Sequence, residues 1–396
     1  MEYRISDKLK NLKPSAIREI FKSLTNPEII AFAAGNPAAE SFPMDFIRKK
    51  SAEILENSPV AALQYSLTEG YPALRVAVKA RLKDAFRIGR EFDETIITSG
   101  GQQGIELFCK VMCNEGDVVI SESPSFIGSL NCFRSNGAKI VGVDMDEDGM
   151  NITCLENALK NNPRAKFIYV IPTFHNPMGI TTGIEKRKAI YALAKQYGVM
   201  ILEDNPYGEL RFAGEDIPTI KSMDEDGLVA YSGSYSKVLS SGMRIGFLCA
   251  PAEVMSKIVV AKQGEDVHTN ILCQMICEGF VTSDEYLPHL DKIRALYRHK
   301  AGLMLDAMDK HFPDYVKYTR PEGGLFLWCT LPDDIELSGF VAKALENKVA
   351  VVPGTAFNCD VDAPSNAFRL NYSTPSDEQI VRGIEILGEV LRSYRA

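Results

Sequence analysis

Between Glu94 and Pro251 the chain repeats one pattern: a short apolar run, a polar or glycine-bearing turn, then apolar residues at helical spacing. Strands buried on both faces read as such continuous runs, and their alternation with helices predicts a doubly wound, mostly parallel α/β sheet. Residues 95–98 predict a strand, 99–101 a turn and 102–112 a helix. Residues 118–120 and 139–143 predict strands around a helix near 126–135. Residues 165–171 and 199–202 predict two more, separated by a helix over 184–197, and 228–230 read as the end of another buried strand.

The flanks read differently. A helix is expected within residues 1–24, starting near Pro14 and Ser15, with Ile17, Ile20, Phe21 and Leu24 on one face and Arg18 off it. An irregular link from Phe32 through Gly35 and Pro37 to Pro43 follows, then a helix over 44–57 and an amphipathic helix marked by Leu74, Val78 and Leu82. From about 286 the pattern turns to long helices with strands at 325–328, 349–352 and 368–371. The expectation is a large domain over 44–285 and a smaller α+β domain built from 1–43 and 286–396.

The length of 396 residues and a hydrophobic share of 45% suit two packed domains rather than one small core. A net charge of -8 without a basic block speaks against nucleic acid or an anionic membrane as partner. The charged N-terminus lacks the apolar core of a signal peptide. No apolar run approaches the roughly 18 residues that a membrane span needs. The nine cysteines are scattered, and the pairs Cys109/Cys113 and Cys273/Cys277 fall at helical spacing without the Cys-x-x-Cys or neighbouring His of a metal site, so buried thiols in a reducing cytoplasm are expected. Asp144, Asp146, Asp148 and Gly149 imitate the start of a calcium loop, but the closing glutamate position holds Leu155, and the segment reads as a polar strand and turn. No metal is expected.

In an open α/β sheet, ligands bind outside the carboxyl ends of the strands. Four polar clusters sit at such ends. Ser99-Gly100-Gly101-Gln102 opens a helix whose free N–H groups favour a phosphate. His175-Asn176-Pro177 and Glu203-Asp204-Asn205-Pro206-Tyr207 follow two strands. The fourth holds Ser234, Ser236, Lys237 and, seven residues on, Arg244 between Gly242 and Gly246. Hydroxyls, a guanidinium and exposed backbone N–H groups suit a phosphate dianion, and a lysine beside them can form a Schiff base with an aldehyde carried on that ester. A carboxylate such as Asp204 would keep a pyridine ring nitrogen protonated, so that the ring accepts electrons. Asn176 and Tyr207 could hold the ring's phenolic oxygen. His175 reads as a structural loop residue.

Together Ser99-Gly-Gly-Gln-Gln-Gly104, Asn176-Pro-Met-Gly179, Asp204-Asn-Pro-Tyr207, Ser234-Tyr-Ser-Lys237 with Arg244, and Phe368-Arg-Leu-Asn371 resemble the fold-type I, pyridoxal-phosphate-dependent class I/II aminotransferases. The resemblance covers nearly the whole chain and is greatest to the branch holding 2-aminoadipate, kynurenine and aromatic aminotransferases. It implies that Lys237 carries pyridoxal 5′-phosphate, that Asp204 pairs with the ring nitrogen, and that Asn176 and Tyr207 hold the phenolic oxygen. It also implies that Gly100, Gly101, Gln102, Ser234, Ser236 and Arg244 hold the phosphate, that Phe126 stacks on the ring, and that Tyr65 reaches the phosphate of a neighbouring subunit in a homodimer. Arg369 would clamp the substrate α-carboxylate, with Gly35 and Asn176 beside it, and Arg18 would read a distal carboxylate. Two positions depart from the family pattern: Gly101 stands where Ser is common, and Phe126 where Tyr is common. A hydroxyl contact and a phenol hydrogen bond are absent, while the backbone N–H and the stacking face remain.

The expected activity is amino transfer from an aromatic, 2-aminoadipate-like or broad range of amino acids to a 2-oxo acid such as 2-oxoglutarate, in the cytoplasm. A lyase on the same scaffold shares the first proton abstraction. A ligand-sensing regulator would carry a DNA-binding module, for which the short segment before the large domain shows no basic recognition helix.

Overall fold

The computed structural model describes residues 3–10 and 26–395; the predicted N-terminal helix with Arg18 lies outside the described residues. After a short strand, β1 (Ile30–Ala31), the main sheet is built from β2 (Asp93–Thr98), β3 (Val118–Ser123), β4 (Lys139–Asp146), β5 (Gly149–Met150), β6 (Ala165–Val170), β7 (Met200–Asn205), β8 (Val229–Ser234) and β9 (Gly246–Pro251). Their order across the sheet is β2-β9-β8-β7-β6-β3-β4-β5. The centre, β4-β3-β6-β7-β8, is parallel, whereas β9 runs antiparallel to both β8 and β2, and β5 turns back on β4. Strand β9 carries no separate sequence expectation, because its short apolar run lies between Gly246 and Pro251, both punctuation residues.

Burial explains why the strand runs are apolar without alternation. Along β6, Phe167 and Tyr169 pack with Ile105, Phe108 and Phe133 on one face, while Ile168 and Val170 pack with Leu155 and Ile190 on the other. Both faces are covered by helices, among them Gly101–Met112 on the first and Ile184–Tyr197 on the second. The calcium-like segment is the β4–β5 hairpin, with Lys186 Nζ at 2.6 Å from Asp146 and 2.7 Å from Asp148.

A second sheet comprises β10 (Lys317–Tyr318), β11 (Phe326–Thr330), β13 (Val352–Pro353) and β14 (Ala367–Asn371), antiparallel in the order β10-β11-β14-β13. Between them, β12 (Val349–Ala350) pairs with β1. The single strand expected over 349–352 is therefore two, interrupted at Val351 so that each half joins a different sheet. The helices Met44–Asn57 and Pro72–Phe86 form as expected, and Leu74, Val78 and Leu82 are buried. They belong to one apolar cluster that continues through Tyr297 and Phe326 to Leu387 and so joins the two sheets. Among the described residues, no helix is long and apolar enough to cross a membrane.

Strand β7 shows how the fold presents a site. Its alternation sends Glu203 and Asp204 to opposite faces. Glu203 accepts hydrogen bonds from the backbone N–H groups of Ile220 (3.0 Å) and Lys221 (2.7 Å). Lys221, fully buried, donates to Asp93 (2.7 Å) and Asp224 (2.9 Å). Breaking such a buried cluster by removing one member leaves uncompensated charge. Lys221→Met should lower stability by about 3–5 kcal/mol, read as a shift in the urea unfolding midpoint. Loss below about 1 kcal/mol would mean that water compensates Asp93 and Asp224.

Candidate active site

The carboxyl ends of β6, β7 and β8 and the start of helix Gly101–Met112 open onto a cavity of about 380 Å³. Twelve of the residues expected from the sequence line it: Gly35, Gly101, Gln102, Phe126, Asn176, Asp204, Tyr207, Ser234, Ser236, Lys237, Arg244 and Arg369. They come from segments scattered over more than three hundred positions of the chain.

One part of the cavity gathers groups that suit an anion. The helix starting at Gly101 presents free N–H groups, and Ser234, Ser236 and Arg244 stand beside it. Ser234 Oγ donates to Ser236 Oγ (2.9 Å), while Arg244 donates to the Ser99 carbonyl (3.3 Å) and the Ser241 carbonyl (3.1 Å). Gly100 lies directly behind, at φ 79°, where a Cβ would come within 2.1 Å of Arg244 Nη2. Only glycine allows the guanidinium that close. Arg244 itself sits at φ 57°, in the left-handed region that ordinary residues avoid, and such strain gathers at ligand sites. Gln102 is turned to the Gly128 carbonyl (3.1 Å).

Asp204 also lines the cavity and is buried, and burial raises its carboxyl from 3.8 to about 7. Tyr169 donates to it at 2.8 Å. Lys237 Nζ donates to the Gly35 carbonyl (2.8 Å). Burial, with Arg369 and Arg244 adding repulsion, brings its amine down from 10.5 to about 8. Asp204 and Lys237 form no ion pair with each other among the described residues, and both line the cavity.

Arg369 projects from β14 into the cavity and is buried. It donates to Asn176 Oδ1 (2.9 Å) and the Ala33 carbonyl (3.1 Å), and lies 4.2 Å from the Phe326 ring centroid and 5.0 Å from that of Phe357. Its Nε has no partner. Burial lowers its pKa to about 10, so it stays charged at neutral pH. Because the Asn176 carbonyl is taken by Arg369, the Asn176 amide N–H₂ is the group left for a ligand.

Two expected residues lie elsewhere, and a third is not among those described. Gly100 supports the cavity from behind. Tyr65 is 81% exposed, with its ring against His268 at 5.9 Å, and does not reach the cavity of its own chain. Arg18 lies outside the described residues. His175 is buried as a structural residue, its Nδ1 accepting from the Met178 N–H (3.3 Å) and its Nε2 at 3.2 Å from Glu122. The structure adds Asn36, Ile105, Ile171, Pro206, Ser241 and Phe326 to the lining. Phe326 carried no local signal as a site residue, since it reads as part of an apolar strand.

The chain matches the family described as aminotransferase class I and II over residues 27–387. It belongs to the class I and II aminotransferases. It is 38% identical over 395 residues to aromatic-amino-acid aminotransferase 1 of Thermococcus litoralis, covering 99% of this chain and 94% of that protein. It is also 38% identical over 388 residues to the 2-aminoadipate transaminase of Thermus thermophilus, covering 97% and 96%. Among solved structures, the Pyrococcus horikoshii kynurenine aminotransferase in complex with PMP, KYN as substrates and KYA as products is 34% identical, with a TM-score of 0.95 over 99% of this chain and 98% of that one. The aminotransferase fold expected from the sequence is thus the fold observed.

The depressed Lys237 amine makes a measurable statement about this aminotransferase. With a pKa of about 8, about a tenth of it is neutral at pH 7, far more than for an exposed lysine. Borohydride trapping of an added aldehyde at Lys237 should rise with pH and level off above about 8. Arg369→Leu removes a cation, which favours the ammonium, so the midpoint should move up. A midpoint near the ordinary lysine value in the unaltered protein would contradict the assigned environment.

Proposed function

We propose that this aminotransferase moves an amino group from an aromatic, 2-aminoadipate-like or broad range of amino acids to a 2-oxo acid such as 2-oxoglutarate, with pyridoxal 5′-phosphate held through Lys237. The observation that carries the reading is the convergence, in one cavity, of an amine with a depressed pKa, a buried carboxylate and a phosphate-type cradle. The donor set suits that cofactor from end to end, and the orphaned Arg369 Nε supplies a further unused donor for a substrate carboxylate.

When bound, pyridoxal phosphate supplies an aldehyde that condenses with amino groups and a ring that draws electrons from the adjacent carbon. The chain's own residues do the rest. Ser234, Ser236, Arg244, Gln102 and the N–H groups at Gly101 bind the phosphate. Asp204 holds a proton at the ring nitrogen. The Asn176 amide and the Tyr207 hydroxyl orient the phenolic oxygen, and Phe126 covers one ring face. Arg369 receives the substrate α-carboxylate and so turns the Cα–H towards Lys237. The Lys237 amine, lowered to about 8, would accept the proton from the substrate Cα and hand it on within the same cavity, work for which a pKa near neutrality is suited. Absorbance titration with a panel of amino acids tests the reading, since each true donor should bleach the lysine-bound cofactor band and release its 2-oxo acid. Lys237→Ala should retain cofactor without any borohydride-trapped adduct. An adduct at a different lysine would overturn the assignment.

The chain is read as dividing at 43/44 and 285/286, and the active unit as a cytoplasmic homodimer with shared sites. Nine free cysteines support a reducing compartment. Val60 at 75%, Leu63 at 73% and Tyr65 at 81% exposure form an apolar surface that suits burial against a second copy, from which Tyr65 would reach the partner's phosphate. Sedimentation should give a dimer mass for the active species; a fully active monomer would refute this.

Arg18 is assigned to a distal substrate carboxylate. Arg18→Ala should then lower kcat/KM for glutamate and 2-aminoadipate by at least about tenfold, one charged pair's worth, and leave phenylalanine nearly unchanged. Equal losses on both classes would make Arg18 a support of the fold.

A further inference from the structure

We propose that Tyr169 is a positioning residue for Asp204: its hydroxyl, oriented by Ser129, holds the carboxylate as the acceptor that keeps a proton on the cofactor's ring nitrogen. Tyr169 lies on β6, one strand over from Asp204 on β7, and does not line the cavity. It is fully buried in an apolar cluster, with its ring edge-on to Phe133 at 5.2 Å. Phenylalanine would fill that space equally well, and a hydroxyl there is unfavourable unless both its donor and acceptor capacities are used.

Both are used, in one direction. An ionised carboxylate only accepts, so the single phenolic proton goes to Asp204 Oδ2 at 2.8 Å. Ser129 Oγ, also buried, therefore donates to the Tyr169 oxygen at 2.7 Å. Bonds ordered this way polarise one another and strengthen the last donor. Burial and the nearby Asp204 charge push the Tyr169 hydroxyl well above its ordinary pKa, so it remains a donor throughout the working range. The support is needed, because burial and the Glu122 carboxylate both favour a neutral Asp204, and no cation pairs with it among the described residues. Holding one carboxylate oxygen leaves the other for the ring.

The inference rests on the reading of Asp204 as the ring-nitrogen partner, and the test separates the two. The full-length protein, stripped of cofactor, is titrated with pyridoxal phosphate and with its analogue in which C–H replaces the ring nitrogen. If the unaltered protein binds both equally, the Asp204 reading itself fails. If it prefers pyridoxal phosphate, Tyr169→Phe should raise that dissociation constant about tenfold and the analogue's less than about twofold. Equal weakening of both would make Tyr169 a packing residue, and no weakening would make its hydroxyl idle; either overturns the proposal. Should Tyr169→Phe not fold because the Ser129 hydroxyl is orphaned, Tyr169→Phe with Ser129→Ala removes both partners, and the same pair of constants decides.

Discussion

A buried carboxylate and an amine facing one cavity without pairing to each other is the arrangement on which the rest of this structure depends. A charge taken out of water without a partner is strongly unfavourable, and a protein normally resolves that by pairing or by neutralising it. Here both groups are shifted towards neutrality, Asp204 upward and Lys237 downward. Asp204 stands within a parallel strand whose residues from Ile201 on are buried, and Lys237 in the connection between antiparallel β8 and β9. The surrounding fold holds both groups at one cavity.

The antiparallel strand β9 has a particular part in this. By pairing with β8 and β2 it places Gly246 against Gly100, so that an added Cβ would lie 2.6 Å from the Gly100 carbonyl carbon. The loop carrying Lys237 and Arg244 is thereby closed onto the turn that starts the helix Gly101–Met112. A purely parallel sheet would send that segment through a crossover and away from Gly100. The second sheet contributes from the other side, since Arg369 on β14 and Phe326 on β11 belong to one antiparallel ladder. The site is therefore assembled from two sheets, joined by the apolar cluster that runs between them.

Much of this was legible in the chain itself. Apolar runs from 95–98 to 199–202 marked strands because burial on both faces demands them, and polar clusters at their carboxyl ends marked the site because that is where an open sheet exposes backbone and side chains. Asp204, Asn176 and Lys237 were identifiable by residue type and position and Arg369 through the family resemblance, and the cavity gathers all four. Strand β9 escaped, because four apolar residues between a glycine and a proline carry too little pattern. So did the break at Val351, which depends on two neighbouring strands competing for one segment.

The sequence by itself determined the fold class and, with the family resemblance, the cofactor and most of the residues that line the cavity, since strand periodicity marks the sheet and the polar clusters at its carboxyl ends carry the functional groups. Only the tertiary structure decided what depends on distance. It set Asn176 to spend its carbonyl on Arg369, and it linked Ser129 and Tyr169 to Asp204 across forty and thirty-five residues. It also brought Lys237's amine to about 8 through burial and the guanidinium of Arg369, more than a hundred residues away, with Arg244 from its own loop adding to the effect. Hydrogen-bond partners and burial are properties of which segments lie together in space, and no local pattern encodes them.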